Sequence, residues 1–304
     1  MAFELTILGC GSATPTLSRN PTAQHIRIGH SEFLVDCGEG TQLQMLRLRC
    51  KTSRLKAIFI SHLHGDHFFG LPGLLSTMHL MGRRSKITIF GPASLQGILD
   101  HLFEASETDL RYPIEFIPTN PDKKELLIET GGYSIYSFPL NHRIPCTGFL
   151  FQEKPKPKNL RRDQIQALKI PVQLLKSIKN GADYTLPDGS IVRNEALCYP
   201  AKKACSYAFC SDTAPHPQLL EDLAGVEWMY HETTFLQELS ERAVETFHST
   251  TLQAAQLAKD LEVKHLLIGH YSSRYYSGIE LQSEAATLFP DVIAVEDGMN
   301  FTIS

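Results

Sequence analysis

Four metal-ligating side chains fall within six consecutive positions of the stretch Ser61-His62-Leu63-His64-Gly65-Asp66-His67, a His-x-His-x-Asp-His pattern. Three imidazoles and a carboxylate this close fit neither an apolar core nor an ordinary surface loop, because the rings would repel one another when protonated. A borderline-soft divalent ion such as zinc resolves the conflict, since it takes neutral imidazole nitrogen and carboxylate oxygen together. Such an ion lowers the pKa of bound water from near 16 to about 7, so hydrolysis at neutral pH is the chemistry to expect. The alternative is a polar loop that happens to be rich in histidine.

The flanking residues say how the motif is held. Leu55-Lys56-Ala57-Ile58-Phe59-Ile60 reads as a buried strand, and His67 through Met81 carries Phe68, Leu71, Leu74, Leu75 and Met78 at near-helical spacing. Pro72 sits near the front of that helix, where a missing amide donor costs least. The ligands therefore occupy a loop between a strand end and a helix start. Three more candidates stand first after apolar strand-like runs: His142 after 134–141, Asp212 after 208–211, and His270 after 266–269. Singly each is as easily a cap or a loop residue. Together with the motif they make seven ligands, enough for two zinc ions roughly 3.5–4 Å apart with Asp212 shared between them. His248 lies just before Thr250 and Gln253, which form a capping box for the amphipathic stretch that follows. There it stands beside a helix N-terminus that favours an anion, or else it merely precedes the cap.

Around these residues the 304-residue chain has 42% hydrophobic and 20% charged residues, ordinary globular values. No apolar run approaches the roughly 18 residues of a membrane span, and residues 1–8 read as a first strand and not as a signal peptide. The seven cysteines include no C-x-x-C pair, which favours a reducing, cytoplasmic setting. Strand-like runs recur at 4–8, 33–35, 57–60, 87–90, 135–138, 207–209, 266–268 and 292–295. Helical patterns cover 41–49, 94–103, 251–261 and 278–288, so mixed sheets faced by helices are expected. The net charge of −4 argues mildly against a nucleic-acid partner. One segment departs from it: 153–197 holds Lys154, Lys156, Lys158, Arg161, Arg162, Lys169, Lys176, Lys179 and Arg193 against few acids, with possible helices over 163–169 and 172–179. It reads as a solvated surface excursion or as a basic arm that grips an anionic polymer.

The motif Ser61–His67 with the later His, Asp and His resembles the metallo-β-lactamase superfamily, and the chain is similar within it to the ribonuclease Z family. The further stretches that carry this likeness are the glycine-rich opening 8–14 with Pro15 to Asn20, and Phe33-Leu34-Val35-Asp36-Cys37-Gly38-Glu39-Gly40-Thr41-Gln42. His231-Glu232-Thr233-Thr234, His248-Ser249-Thr250 and Gly269-His270-Tyr271 complete it. The resemblance implies an α/β fold, a single metallo-β-lactamase domain over 1–304. Its core is an αββα sandwich of two mixed sheets, with the basic arm inserted at 153–197. It implies that His62, His64 and His142 hold one zinc, that Asp66, His67 and His270 hold a second, and that Asp212 bridges them. Asp66 would orient or deprotonate the attacking water, and His248, steered by Glu232, would protonate the leaving 3′ oxygen. The activity implied is removal of the 3′ trailer from precursor tRNA, leaving a 3′-hydroxyl on the tRNA and a 5′-phosphate on the trailer. Lys154, Lys156, Lys158, Arg161 and Arg162 of the arm and Arg274 near the site would contact RNA, in a homodimer. In one detail the arm departs from the family, since Lys169-Ile170-Pro171-Val172-Gln173 lacks the glycine expected after the Ile-Pro step. The alternative function is hydrolysis of a small phosphodiester or ester on the same fold, for which the arm would be idle.

Overall fold

Side chains along a strand point alternately to opposite faces, and in this chain each face finds its own apolar layer. The computed structural model describes residues 2–201 and 203–304. In β3 (Ser31–Val35) and β4 (Leu55–Phe59), where β1 is Phe3–Gly9 and β2 Ala23–Ile28, Phe33, Val35, Ala57 and Phe59 enter one buried cluster. Leu34, Ile58 and the following Ile60 enter another, with Leu71, Leu74, Leu75 and Met78 of the helix Leu71–Leu80. These strands belong to a seven-stranded sheet completed by β5 (Ile87–Gly91), β6 (Ile114–Pro118) and the last strand of the chain.

The second half builds a second sheet from β7 (Glu125–Glu129), β8 (Tyr133–Pro139) and β9 (Thr147–Glu153). After a short hairpin of β10 (Tyr184–Thr185) and β11 (Ile191–Val192) come β12 (Ser206–Cys210), β13 (Trp228–Glu232), β14 (His265–Gly269) and β15 (Val292–Ala294). β16 (Asn300–Thr302) returns to pair with β1, so the sheet orders are 16-1-2-3-4-5-6 and 15-14-13-12-9-8-7. Each sheet has a parallel and an antiparallel part. The two face each other through aromatic rings: Phe59 lies 5.2 Å from Phe149 and 5.5 Å from Phe151, and Phe33 5.9 Å from Phe151. Helices cover the outer faces, Leu71–Leu80 and Leu95–Ala105 on the first sheet and Thr251–Asp260 and Ile279–Ala285 on the second.

Two expectations need correction. The single helix predicted over 67–81 is two helices, Gly65–Phe68 and Leu71–Leu80. The loop after β3 docks at the break: Cys37 N–H donates to the His67 carbonyl (2.7 Å) and Gly70 N–H to the Cys37 carbonyl (2.9 Å). A side chain at Gly70 would place Cβ 2.1 Å from the Gly38 carbonyl oxygen, so the break requires glycine there. Asp66 and His67 accordingly stand on a one-turn helix and not in the loop. The strands β6, β7, β9, β13 and β16 and the hairpin β10–β11 were not anticipated, because short apolar runs carry little periodicity.

The arm holds the helices Arg162–Ala167 and Leu175–Lys179, both shorter than predicted, around a small cluster of its own in which Ile170, Ile178, Leu197 and Cys198 are buried. Among the described residues no helix is long and apolar enough to cross a membrane.

Candidate metal centre and active site

Every one of the seven anticipated ligands arrives at one rim of the sandwich, because each lies at or just beyond a strand end. His62 and His64 follow β4 and the short helix after them carries Asp66 and His67. His142 follows β8, Asp212 follows β12 and His270 follows β14. The ligand atoms fall into two groups, His62, His64, His142 and Asp212 in one and Asp66, His67 and His270 in the other. In the first group His64 Nδ1 lies 3.1 Å from His62 Nε2 and 3.2 Å from His142 Nε2, while Asp212 Oδ2 lies 3.5 Å from His62 Nε2. In the second, Asp66 Oδ2 lies 3.3 Å from both His67 Nε2 and His270 Nε2, and Asp212 Oδ1 lies 3.4 and 3.1 Å from the same two nitrogens. The two oxygens of Asp212 therefore face different groups. A tetrahedral site with metal–ligand bonds of 2.0–2.1 Å has ligand–ligand edges of roughly 3.3 Å, close to these separations.

The donor set fits metal ions on two further counts. His67 Nε2 and Asp212 Oδ1 are buried with no hydrogen-bond partner, atoms a cation between the groups would satisfy. Charge points the same way. Burial holds His62, His64 and His142 below the usual imidazole range, neutral and fit to ligate. Burial would do the same to His67, but the carboxylates of Asp212, Asp66 and Asp36 outweigh it and push that imidazole well above its usual range. Three carboxylates around one ring call for a cation.

Hydrogen bonds to the outward nitrogens orient the rings. Asp36 Oδ2 lies 2.7 Å from His67 Nδ1, and the same carboxylate accepts from Ser61 N–H (2.8 Å) and Oγ–H (2.9 Å). His142 Nδ1 meets the Phe247 carbonyl at 3.0 Å, and His270 Nδ1 the Thr234 hydroxyl at 3.0 Å. Asp36 and His270 both adopt left-handed backbone, with φ of 56° and 59°, turning the chain sharply at their strand ends. No role was foreseen for Asp36. Its sequence signal is an acid ending the apolar run Phe33-Leu34-Val35.

His248 and Glu232 stand beside this centre as expected. His248 Nδ1 lies 3.0 Å from Glu232 Oε1, leaving Nε2 for the cleft, and the ring is 5.5 Å from that of His270. Glu232 is fully buried and accepts from Thr213 N–H, Ser249 N–H, Thr234 N–H and the Thr234 hydroxyl at 2.8–3.2 Å. Burial disfavours a charged His248, yet the Glu232 carboxylate prevails and pushes it up to about 9. The capping box is present, with Thr250 Oγ1 accepting from Gln253 N–H and Gln253 Oε1 from Thr250 N–H (2.9 Å). The cap ties residues 248–250 to the start of a ten-residue helix.

A cleft of about 530 Å³ opens over the centre, walled by Ser12, Ala13 and Pro15 on one side and by Phe69, Arg143 and Thr246 elsewhere. Phe69, 65% exposed, and Arg143, whose Nη2 is 3.3 Å from His64 Nε2, are cleft residues the sequence reading passed over. The anticipated RNA-contacting residues stand elsewhere. Arg274 is exposed, 5.3 Å from the Phe235 ring, and does not line the cleft. In the arm, Lys154 Nζ meets Glu129 (2.7 Å), Lys156 meets Glu153 (2.6 Å), Lys158 meets Asn194 (2.8 Å) and Arg161 stacks over Tyr199 (4.7 Å). Arg162 is exposed. The arm also springs from the far end of β9: Thr147, at its start, bonds the Ser61 carbonyl, whereas Glu153 at its end is about 20 Å away along the strand.

The chain is similar to several known proteins. A family model described as "Anti-Pycsar protein Apyc1" matches residues 3–154. Ribonuclease Z of Parabacteroides distasonis is 44% identical over 301 residues, covering 99% of both chains. Ribonuclease Z of Bacteroides thetaiotaomicron is 44% identical over 302 residues, covering 99% of this chain and 96% of the other. Among solved structures, the short form of human tRNase Z is 26% identical with a TM-score of 0.71, and the match covers 99% of each chain. At 44% identity to these relatives over nearly its whole length, and with its two mixed sheets, the chain belongs to the ribonuclease Z family and has the metallo-β-lactamase fold.

Proposed function

We propose that this protein removes the 3′ trailer of precursor tRNA by hydrolysing one phosphodiester bond, leaving a 3′-hydroxyl on the tRNA and a 5′-phosphate on the trailer. The observation that carries the reading is Asp212, which turns one oxygen to each of two ligand groups directly beside the His248–Glu232 pair.

His62, His64, His142 and Asp212 would hold one zinc ion, and Asp66, His67, His270 and Asp212 the other. Bound there, the two ions supply an acidified water and neutralise charge on the phosphoryl oxygens. The remaining work falls to the protein. Asp66, kept ionised although buried, accepts a proton from or orients the attacking water. His248 keeps its proton through Glu232 and directs Nε2–H at the leaving 3′ oxygen of the tRNA, a transfer typically worth about 10²–10⁴ in rate. Phe69 offers a ring for a base next to the scissile phosphate, and Arg143 a charge for a phosphate oxygen.

Within a single domain over 1–304, the arm at 153–197 grips the tRNA body. Its root lies about 20 Å from the metal centre, which suits a homodimer in which one subunit's arm presents tRNA to its partner's cleft. Arg162, Lys169, Lys176 and Lys179 are exposed and open to phosphate, whereas Lys154, Lys156, Lys158 and Arg161 would exchange their present contacts for RNA. The setting is cytoplasmic.

A second reading is hydrolysis of small phosphodiesters or esters, favoured by a family match that ends at residue 154, where the arm begins. Zinc-loaded protein incubated with a 3′-extended tRNA decides between them. A single cut next to the discriminator base that vanishes with chelator supports the first. Intact RNA alongside turnover of a small diester overturns it in favour of the second.

A further inference from the structure

At the end of the first sheet remote from the metal centre lies a second concavity, of about 370 Å³, bounded by the β2–β3 turn, the start of β4 and the residues before β5. Arg27, His30, Arg54, Lys56, Arg83 and Lys86 line it, and the other lining residues carry no charge. Acids touch the cluster only from outside. Glu4 pairs with Arg27, Glu32 with Arg54 (3.4 Å) and Glu115 with Lys86 (2.8 Å). Lys56 and Arg83 have no carboxylate partner among the described residues. Arg83 is 9% exposed, and its guanidinium is fixed by the carbonyls of Ser85, Thr52, Leu55 and Lys86 at 2.8–3.2 Å. A buried guanidinium held by four neutral carbonyls and lying over the Tyr112 ring (5.7 Å) has no carboxylate to neutralise it and cannot swing away. That makes the floor of the concavity a fixed cation, with the exposed side chains of Arg54, Lys56 and Lys86 at its rim.

The concavity adjoins the root of the arm. Tyr133 donates its hydroxyl hydrogen to Ser31 Oγ (3.0 Å) beside His30, and Lys154 N–H donates to the Gly132 carbonyl (2.9 Å). One stretch of surface therefore runs from the basic concavity across the β7–β8 turn to the first lysines of the arm. Along that path the acid beside the β7–β8 turn, Glu129, is paired with Lys154 (2.7 Å).

We infer that this concavity is a phosphate-binding site that holds the backbone of the precursor tRNA at a second point, remote from the metal centre. The inference rests on the proposed function, and its ligand is the phosphoryl group, which RNA or a free phosphate ion could provide. Electrostatic capture of this kind is salt-dependent, with a slope of about 0.9 per phosphate contact in duplex.

The test is the double variant Lys56→Ala/Lys86→Ala, which removes two rim cations and leaves Arg83 in place. The expected result is a KM for 3′-extended tRNA raised about tenfold at physiological salt, a dependence of log KM on log salt shallower by about 1–2, and unchanged kcat. Turnover of bis-p-nitrophenyl phosphate should be unaltered, which shows the variant folded and metal-loaded. An unchanged KM and salt slope would overturn the inference. So would inorganic phosphate that binds the wild type and not the variant by calorimetry while the tRNA KM stays the same, since the site would then serve a free ion. If the wild type itself leaves 3′-extended tRNA intact, the functional reading has failed instead.

Discussion

Around the metal centre the carboxylates of Asp36, Asp212 and Glu232 are buried, and the far nitrogens of His62, His67, His142 and His270 meet buried or backbone partners, whereas that of His64 meets the exposed Arg143. In the arm the cations are exposed or half-buried, around a small cluster of four buried apolar or thiol-bearing residues: Lys154 and Arg193 pair with exposed acids, Lys156 with buried Glu153, Lys158 with the buried Asn194 amide, and Arg162, Lys169, Lys176 and Lys179 stand exposed. The difference concerns when geometry is established. At the centre Asp36, Thr234 and Glu232 set the rings before any substrate arrives, as preorganised catalysis requires. The arm contributes charge that salt screens over about 8–10 Å and that can be redistributed on binding. Damage to the centre should therefore act on every substrate, and damage to the arm only on large anionic ones.

Asp66→Ala gives the sharpest form of that contrast. Cleavage of tRNA and of a small diester should both fall below detection, with little loss of tRNA binding; unaltered cleavage in single-turnover assays would break the assignment. His248→Ala comes next, lowering tRNA cleavage by about 10²–10⁴. Because p-nitrophenolate leaves without needing a proton, turnover of bis-p-nitrophenyl phosphate should suffer far less, and equal losses would argue against a general acid. Glu232→Gln adds a pH test. Glu232 favours the protonated His248, and a general acid must be protonated to act, so under the proposed role activity should be present below the His248 pKa and lost above it. Removing the carboxylate lowers that pKa, and the alkaline limb of kcat should move to lower pH.

Deleting residues 155–195 should collapse tRNA cleavage while sparing the small diester. Loss of both would mean that the arm stabilises the sandwich instead of gripping RNA. Asp36→Asn is expected to be milder, weakening metal affinity by about 10- to 100-fold through His67, measurable by competition with a chromophoric chelator. Chelation should also lower the melting temperature, since ions bound only by the folded state at a thousand times their Kd contribute about 4 kcal/mol. An unmoved transition would place the ions outside the ligand groups.

Local spacing made much of this legible beforehand. The ligands within 62–67 lie within six consecutive residues, so their convergence required no knowledge of the fold. Thr250 and Gln253 announced their helix through a cap that spans only four residues, and the arm stood out by composition. Elsewhere short-range pattern failed: β9 and β13 are apolar runs without periodicity, and the helix after His67 broke at Gly70 because a loop some thirty residues earlier docks there.

Residue identity and order pointed to the metal-ligating residue types and the basic arm, and the family resemblance to the general acid candidate. Tertiary structure alone decided that His142, Asp212 and His270 meet the first motif, since they are 75 or more residues downstream and only the ends of two facing sheets bring them to within 3.2–3.5 Å of it. It also decided that Asp36 belongs to the centre and that the arm is rooted at the far end of β9. The physical reason is that capping, alternation and adjacent ligands are written within a few residues, whereas convergence is a property of how strands are ordered in a sheet.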